Sequence, residues 1–295
     1  MIVDAILSKI QGGVQYSGYS TRNAVDTFRS GNGNCISFTN LFVGMARHAR
    51  INALFVLVDE IDDFEWSGGI LVHQKHMCTG VMKGSKLVLI DFVRGPTRYW
   101  HYRAISDSDA VAHYYNNLGY AEFKDGLMEE AIRKYRIAMA LAPEFVPAYN
   151  NLAVALLRQG KVDEAIAMLK RALTIDSSNL SLYSNLSSAL ERKGLAEEAK
   201  SVTEYMDKMK TSSPYSLFVR GRFMRMRGNP AGAVKLLKKA MSQEPKNLAL
   251  RLELAHALKE TGDLKAAAKQ YKKALKIDSE SREALNALHE LEKTN

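Results

Sequence analysis

The chain is poor in cysteine, in proline and in long apolar runs, and each shortage excludes a class of protein. Two cysteines among 295 residues cannot build the disulfide framework of a small secreted domain. Six prolines, together with 46% hydrophobic and 25% charged residues, exclude collagen-like and disordered sequence. No stretch approaches the roughly 20 apolar residues that a transmembrane helix needs. We therefore expect a folded chain without a membrane span.

The N-terminal residues bear on the compartment of the protein. An acid, Asp4, stands where a secretory signal would carry basic charge, so the chain as given is predicted to be cytoplasmic. A missing upstream segment with a signal would instead place it in the periplasm or at the envelope.

The charge is unevenly distributed along the chain. Residues 1–111 hold 11 Lys and Arg against 10 Asp and Glu, and residues 112–295 hold 30 against 22. The net charge of +9 thus belongs almost entirely to the second part.

That second part repeats every 34 residues. Glycines recur at this interval without insertion or deletion, at Gly126, Gly160, Gly194, Gly228 and Gly262. Small residues follow each glycine at fixed distances, as close packing of two antiparallel helices requires, and glycine ends a helix without a Cβ penalty. Five helix-turn-helix repeats are therefore predicted over 112–281, followed by a capping helix over 282–295.

The fingerprint of these repeats resembles the tetratricopeptide repeat. Repeat one carries it most fully, at Tyr115, Leu118, Gly119, Ala131, Tyr135, Ala138 and Pro143. The resemblance implies an all-α solenoid. It also implies that the first helix of each repeat lines a groove for a peptide or protein partner.

Two polar columns lie opposite the predicted core stripe of these first helices. One column is Asn117, Asn151 and Asn185, and the other is Lys124, Arg158 and Arg192. Asparagine both donates and accepts hydrogen bonds, so such a column can pair with the backbone of an extended peptide. The basic column would favour an acidic segment or a terminal carboxylate. The alternative is that both columns only solvate a helix face, since repeats four and five do not continue them.

Repeat four concentrates arginine instead. Arg222 and Arg225, three residues apart, are predicted to lie near the groove side. A basic patch can also bind nucleic acid, but glutamates interleave with the basic residues and no nucleic-acid module is recognisable. A peptide or protein partner is therefore favoured over nucleic acid, and the oligomeric state is not predicted.

Residues 1–105 show a mixed pattern that predicts an α+β domain. A helix is expected over 37–50, a strand over 53–58, and a hairpin of strands over 76–82 and 86–92 joined by a turn at 83–85. Cys35 stands between a glycine-rich loop and the helix, where the helix dipole favours a thiolate. With the turn centred near Gly84, His76 falls opposite about Phe92, so Asp91 becomes its cross-strand neighbour. A thiol nucleophile needs such a base and such an orienting group.

The segment from Gly33 to Thr39, with His76 and the pair Asp91-Phe92, resembles the transglutaminase-like superfamily, a papain-type thiol fold with a Cys-His-Asp triad. The likeness covers about residues 16–95. It implies that Cys35 is the nucleophile, His76 the general base and acid, and Asp91 the group that orients His76. Bacterial members join this domain to tetratricopeptide repeats, and the superfamily includes peptidases, transamidases and members without activity.

No cofactor or metal is expected. His73, His76, Cys78 and Cys35 make a zinc set by residue type, but on a strand His73 points away from the face that holds His76 and Cys78. Cys78 is interpreted as a buried bystander. Tyr16 and Tyr19 are candidate oxyanion donors, together with the backbone N–H of Cys35.

These features lead to one function and one alternative. The leading hypothesis is a thiol-dependent acyl-transfer enzyme that acts on a peptide or protein held by the repeat groove, with hydrolysis by a peptidase or amidase favoured over transamidation. The alternative is a non-catalytic adaptor, in which the thiol domain is inactive and the repeats organise a protein complex.

Overall fold

The computed structural model describes residues 15–17, 20–67, 70–92, 102–209, 213–279 and 281–293. They form two compact units, one from the described residues within 1–63 and 73–168, and the other from those within 64–72 and 169–295. None of the described helices is long and apolar enough to cross a membrane.

The first unit begins with short elements around Cys35. Strand β1 (Gln15–Tyr16) runs parallel to strand β2 (Asn32–Gly33), and helix α1 (Ala24–Ser30) connects them. Helix α2 (Cys35–His48) follows directly. The sequence predicted this helix two residues later and missed the small elements, because strands of two residues leave no alternation to detect.

A four-stranded sheet lies behind helix α2. Its strands are β3 (Ala53–Ser67), β4 (Ile70–Lys83), β5 (Lys86–Ile90) and β6 (Tyr102–Ile105), in the order β5-β4-β3-β6. The apolar side of α2 packs against one face of this sheet, and the buried contacts include Phe38 and Phe42 from the helix and Phe55, Leu57 and Met77 from the strands.

The hairpin of β4 and β5 differs from the prediction by one residue. Lys83 pairs with Lys86 and Thr79 with Ile90, so the two-residue turn holds Gly84 and Ser85 and the ladder ends before Asp91. Gly84 has a φ of 63°, a left-handed conformation that glycine adopts without steric cost. The predicted pairing of His76 with about Phe92 is therefore displaced by one position. Asp91 follows β5 directly.

Helices occupy the chain from residue 107 to residue 293. They are α3 (Asp107–Lys124), α4 (Met128–Leu141), α5 (Val146–Arg158), α6 (Val162–Ile175), α7 (Leu180–Arg192), α8 (Ala196–Lys208), α9 (Pro214–Met226), α10 (Pro230–Gln243), α11 (Leu248–Glu260), α12 (Leu264–Leu275) and α13 (Arg282–Lys293). Each predicted repeat spans two of these helices, and α13 lies within the residues predicted to form the capping helix.

The repeat glycines stand where the pattern requires them. All five have φ between 77° and 85°, a conformation in which any Cβ would be strained. Another glycine serves packing instead. A Cβ on Gly119 would lie 2.8 Å from Cε1 of Tyr135, so the absence of a side chain lets α3 and α4 approach each other.

Candidate functional site

Helix α2 begins at Cys35 because Asn34 caps it. The Asn34 side chain is 2% exposed, and its Oδ1 accepts a hydrogen bond from the backbone N–H of Ser37 at 3.1 Å. A capping asparagine fixes the residue after it at the first turn, where backbone N–H groups are unpaired and the helix dipole is positive. The side chain of Cys35 therefore lies at the positive end of the helix dipole.

Hydrogen bonds hold the preceding loop against the start of helix α2. Asn34 Nδ2 donates to Thr21 Oγ1 at 2.7 Å, and the backbone N–H of Arg22 donates to Ser37 Oγ at 2.8 Å. A Cβ on Gly33 would lie 2.5 Å from the Cβ of Ser37, so only glycine fits there. These contacts fix the backbone on both sides of Cys35.

His76 and Asp91 form a buried pair beside the helix. His76 Nε2 lies 2.6 Å from Asp91 Oδ2, and their side chains are 6% and 4% exposed. Because a carboxylate only accepts, Nε2 carries the proton in this contact. The remaining ring nitrogen, Nδ1, is then the one available to Cys35.

Cys35 belongs to the same electrostatic cluster. Burial by itself would lower the pKa of His76, but hydrogen bonds to Asp91 and Cys35, and the negative charge of both, outweigh it and raise the pKa to about 9. At neutral pH, His76 is therefore an imidazolium held between a carboxylate and the cysteine. The structure brings together the three residues that the sequence singled out.

Two contacts to α2 set the distance between these elements. Thr39 Oγ1 donates to the carbonyl of Met77 at 3.2 Å, next to His76 in the chain. Phe92, next to Asp91, packs on Phe42 with ring centroids 5.5 Å apart. The sequence analysis did not assign Thr39 this role, because the contact joins residues 38 apart and leaves no local signal.

Cys78 is a separate thiol on the same strand as His76. It is 1% exposed, and burial, followed by the negative charges of Asp91 and Cys35, raises its pKa to about 12. It therefore stays a thiol at neutral pH, as a bystander would. Within the described part of the chain, no three His, Cys, Asp or Glu side chains are arranged so that they could hold a metal ion, and the side chain of His73 lies outside that part.

The structure describes one of the two tyrosines proposed as oxyanion donors. Tyr16 pairs with Gly33 across β1 and β2 and is 50% exposed. Tyr19 lies outside the described residues.

In the first unit, the predicted groove residues contact aromatic rings and a second asparagine. Asn151 Nδ2 donates to Asn116 Oδ1 at 2.9 Å, so the asparagine of repeat two pairs with the residue before Asn117. The guanidinium of Arg158 lies 4.2 Å from the Phe123 ring centroid. Lys124 similarly lies 5.8 Å from the ring centroid of Tyr120. Stacking of this kind holds a cation in place over the ring.

In the second unit, Asn185 is buried and Arg192 is exposed, whereas the charges of Arg222 and Arg225 are compensated within the chain. Arg222 Nη1 and Arg225 Nε donate to the two carboxylate oxygens of Glu253, which is 2% exposed. Arg225 also pairs with Glu260. The paired residues lie 28 to 35 positions apart in the chain. The positive charge that the sequence predicted at this point of the groove is therefore largely compensated by the two glutamates.

An α+β domain with a buried histidine and aspartate pair beside a partly exposed cysteine, followed by helix-turn-helix repeats, defines the class of this protein. The family model of the transglutaminase-like superfamily matches residues 2–117. Models of the tetratricopeptide repeat match residues 116–180, 150–200 and 224–291. The chain therefore carries a transglutaminase-like domain in its first part and tetratricopeptide repeats after it.

Solved structures match the repeat part of the chain. TTC0263, a thermophilic tetratricopeptide protein of Thermus thermophilus, is 23% identical over 61% of this chain and 98% of its own, with a TM-score of 0.50. The human IFIT1 dimer with m7Gppp-AAAA is 18% identical over 68% of this chain and 48% of its own, also at 0.50. At such identities the likeness concerns the fold alone. A search of curated proteins returned no match.

Proposed function

We propose that this protein is a thiol-dependent acyl-transfer enzyme, a peptidase or amidase, that acts on a peptide or protein held by its repeats. The observation that carries the proposal is the buried His76–Asp91 pair at 2.6 Å, with Cys35 hydrogen-bonded to the same imidazole. A nucleophile, a base and an orienting carboxylate are the groups that acyl transfer through a thioester requires.

The reaction would proceed in two steps. The Cys35 thiolate attacks the carbonyl carbon of an amide, and the carbonyl π electrons move to oxygen. When the tetrahedral intermediate collapses, the C–N bond breaks, the imidazolium of His76 protonates the departing amine, and a thioester forms. His76, now neutral, then takes a proton from water, whose oxygen attacks the thioester, and the proton returns to the Cys35 sulfur as the acid leaves.

Asp91 keeps His76 in the required orientation through both steps. Its carboxylate accepts the Nε2 proton, so Nδ1 faces the thiol and the developing charge on the ring is neutralised in place. An amine in place of water would give transamidation by the same route. Hydrolysis is the better-supported reaction, because no described feature selects an amine acceptor over water.

The alkylation of Cys35 by iodoacetamide tests this proposal. Cys78 is buried and protonated, so one thiol per chain should react. At about pH 6, His76→Ala should slow the alkylation about tenfold or more, because the imidazolium that holds the thiolate is gone, and the difference should close towards about pH 10.

Two controls sharpen this experiment. Cys35→Ser should abolish labelling, whereas Cys78→Ser should leave both the rate and its pH profile unchanged. If Cys35 reacts at the same rate with and without His76 at every pH, the thiol domain is not an acyl-transfer centre. The repeats would then act alone, as an adaptor.

The groove part of the proposal rests on the first unit. Asn151 and Asn116 are buried and paired with each other, and Arg158 and Lys124 are cations that lie over aromatic rings. We infer that this face holds an extended peptide, with an acidic group towards the two cations.

A comparison of partners tests the groove. The Cys35→Ser protein would retain bound proteins from a lysate of its source, and Asn151→Ala in that background should release them. Asn150→Ala, which removes the neighbouring buried asparagine of the same helix, is the matched control. An identical set of partners for all three proteins would contradict the groove.

A further inference from the structure

Helix α12 carries a row of lysines on the side away from the core. Its buried residues are Ala267, Tyr271 and Ala274. At 100° per residue the lysines lie on the opposite side, and all are exposed: Lys265, Lys269, Lys272, Lys273 and Lys276. The row spans 11 residues, which is about 16 Å along a helix.

The positive charges of these lysines have no acidic partner among the residues that the structure describes. Helix α12 contains no Asp or Glu, and within the described part of the chain none of the five takes part in an ion pair. Lys259 on the neighbouring helix α11 is different, since it pairs with Glu290. The contrast indicates that this surface of α12 keeps its positive charge, and that the charge is not merely the result of frequent lysine in this part of the chain.

A groove with an apolar floor runs along this row. The five lysines, together with Leu264, Ala268 and Leu291, line a cavity of about 800 Å³. Leu291 is 4% exposed, whereas the lysines are exposed, so the floor is recessed and the charges form the rim. We call these residues the lysine groove.

We propose that the lysine groove docks a short acidic amphipathic helix of a partner protein. Carboxylates spaced at i, i+4, i+7 and i+11 on one helix face would meet the lysine row, and leucine-sized side chains between them would enter the apolar floor. A flat anionic membrane fits less well, because the apolar atoms lie below the lysine ammonium groups. This surface is on a second helix of a repeat and is separate from the thiol site and from the first-helix columns.

A designed peptide tests the proposal on the full-length protein. The probe is a fluorescein-labelled helical peptide of about 15 residues that carries glutamates at these positions and leucines between them, and its binding is followed by fluorescence anisotropy. Lys269→Glu/Lys273→Glu should weaken binding about tenfold or more, because two attractions become repulsions. The matched control, Lys161→Glu/Lys200→Glu, makes the same charge change at exposed lysines of other repeats and should alter binding less than about twofold.

A scrambled peptide of identical composition and phosphatidylserine vesicles complete the experiment. The proposal expects the scrambled peptide to bind about tenfold more weakly, and the vesicles to sediment equal amounts of the wild-type and the Lys269→Glu/Lys273→Glu protein. Equal binding of the two peptides, equal loss in both double variants, or no binding of the designed peptide would overturn it. Vesicle binding that depends on Lys269 and Lys273, without peptide discrimination, would assign the groove to a lipid surface instead.

Discussion

Replacing Asp91 with asparagine isolates the electrostatic role of the carboxylate. The substitution keeps the size of the side chain and an oxygen that can accept the Nε2 proton of His76, but it removes the negative charge. Because both side chains are almost fully buried, solvent cannot replace that charge. We expect the imidazolium form of His76 to be lost at neutral pH and catalysis to fall by orders of magnitude.

The size of the effect on stability follows from the pKa of His76. A rise from 6.5 to about 9 corresponds to about 3 kcal/mol in favour of the folded, protonated form. Since the folded-state pKa is raised, this stabilisation is fully present below about pH 6.5 and disappears as the pH rises through about 9. Cys35 contributes part of it, so Asp91→Asn should cost about 2 kcal/mol near pH 6 and below about 1 kcal/mol near pH 10.

Urea unfolding at a series of pH values measures this loss. Circular dichroism follows the transition. Asp107→Asn is a matched control, because Asp107 also makes a 2.6 Å ion pair, with Arg47, but the two side chains are 63% and 40% exposed. That substitution should cost at most about 1 kcal/mol, with no change between about pH 6.5 and 9.

The reasoning would be refuted by either of two results. One is an equal loss of stability in Asp91→Asn and Asp107→Asn. The other is a loss in Asp91→Asn that stays constant between about pH 6 and pH 10, because a purely steric defect does not titrate.

Two further predictions concern the repeats, and urea unfolding followed by circular dichroism measures both. Glu253→Gln should lower the free energy of unfolding by about 3 kcal/mol, because Arg222 and Arg225 would keep buried charges without their shared carboxylate. Gly119→Ala should lower it by about 1 to 3 kcal/mol, because the added methyl group meets the ring of Tyr135.

Each of these substitutions has a counterpart elsewhere in the chain. Glu260→Gln removes a carboxylate whose side chain is 41% exposed and should cost less than about 1 kcal/mol. Gly44→Ala places a methyl group in open space on α2 and should be neutral or stabilising by up to about 1 kcal/mol. Equal effects within either pair would contradict the burial argument for that pair.

Much of the fold was predictable because its signals are local. The 34-residue period, the repeat glycines and the apolar stripe of α2 all arise within one or two turns of the chain, where the backbone itself sets the spacing. The N-cap at Asn34 was not predicted, although an asparagine before an apolar helix is a local signal for its first turn. The full lengths of β3 and β4 were not predicted, because acidic and polar residues interrupt the apolar pattern beyond Val58.

The sequence by itself determined the repeat architecture, the position of Cys35 at a helix start, and the proximity of His76 to Asp91 through a hairpin. Only the tertiary structure decided the one-residue shift of that hairpin and the pairing of Asn151 with Asn116. It also decided the neutralisation of Arg222 and Arg225 by Glu253, and the bare lysine row above an apolar floor. These features depend on side chains from separate helices and strands meeting in space. No local period records which distant partner compensates a charge and which charge is left to face solvent.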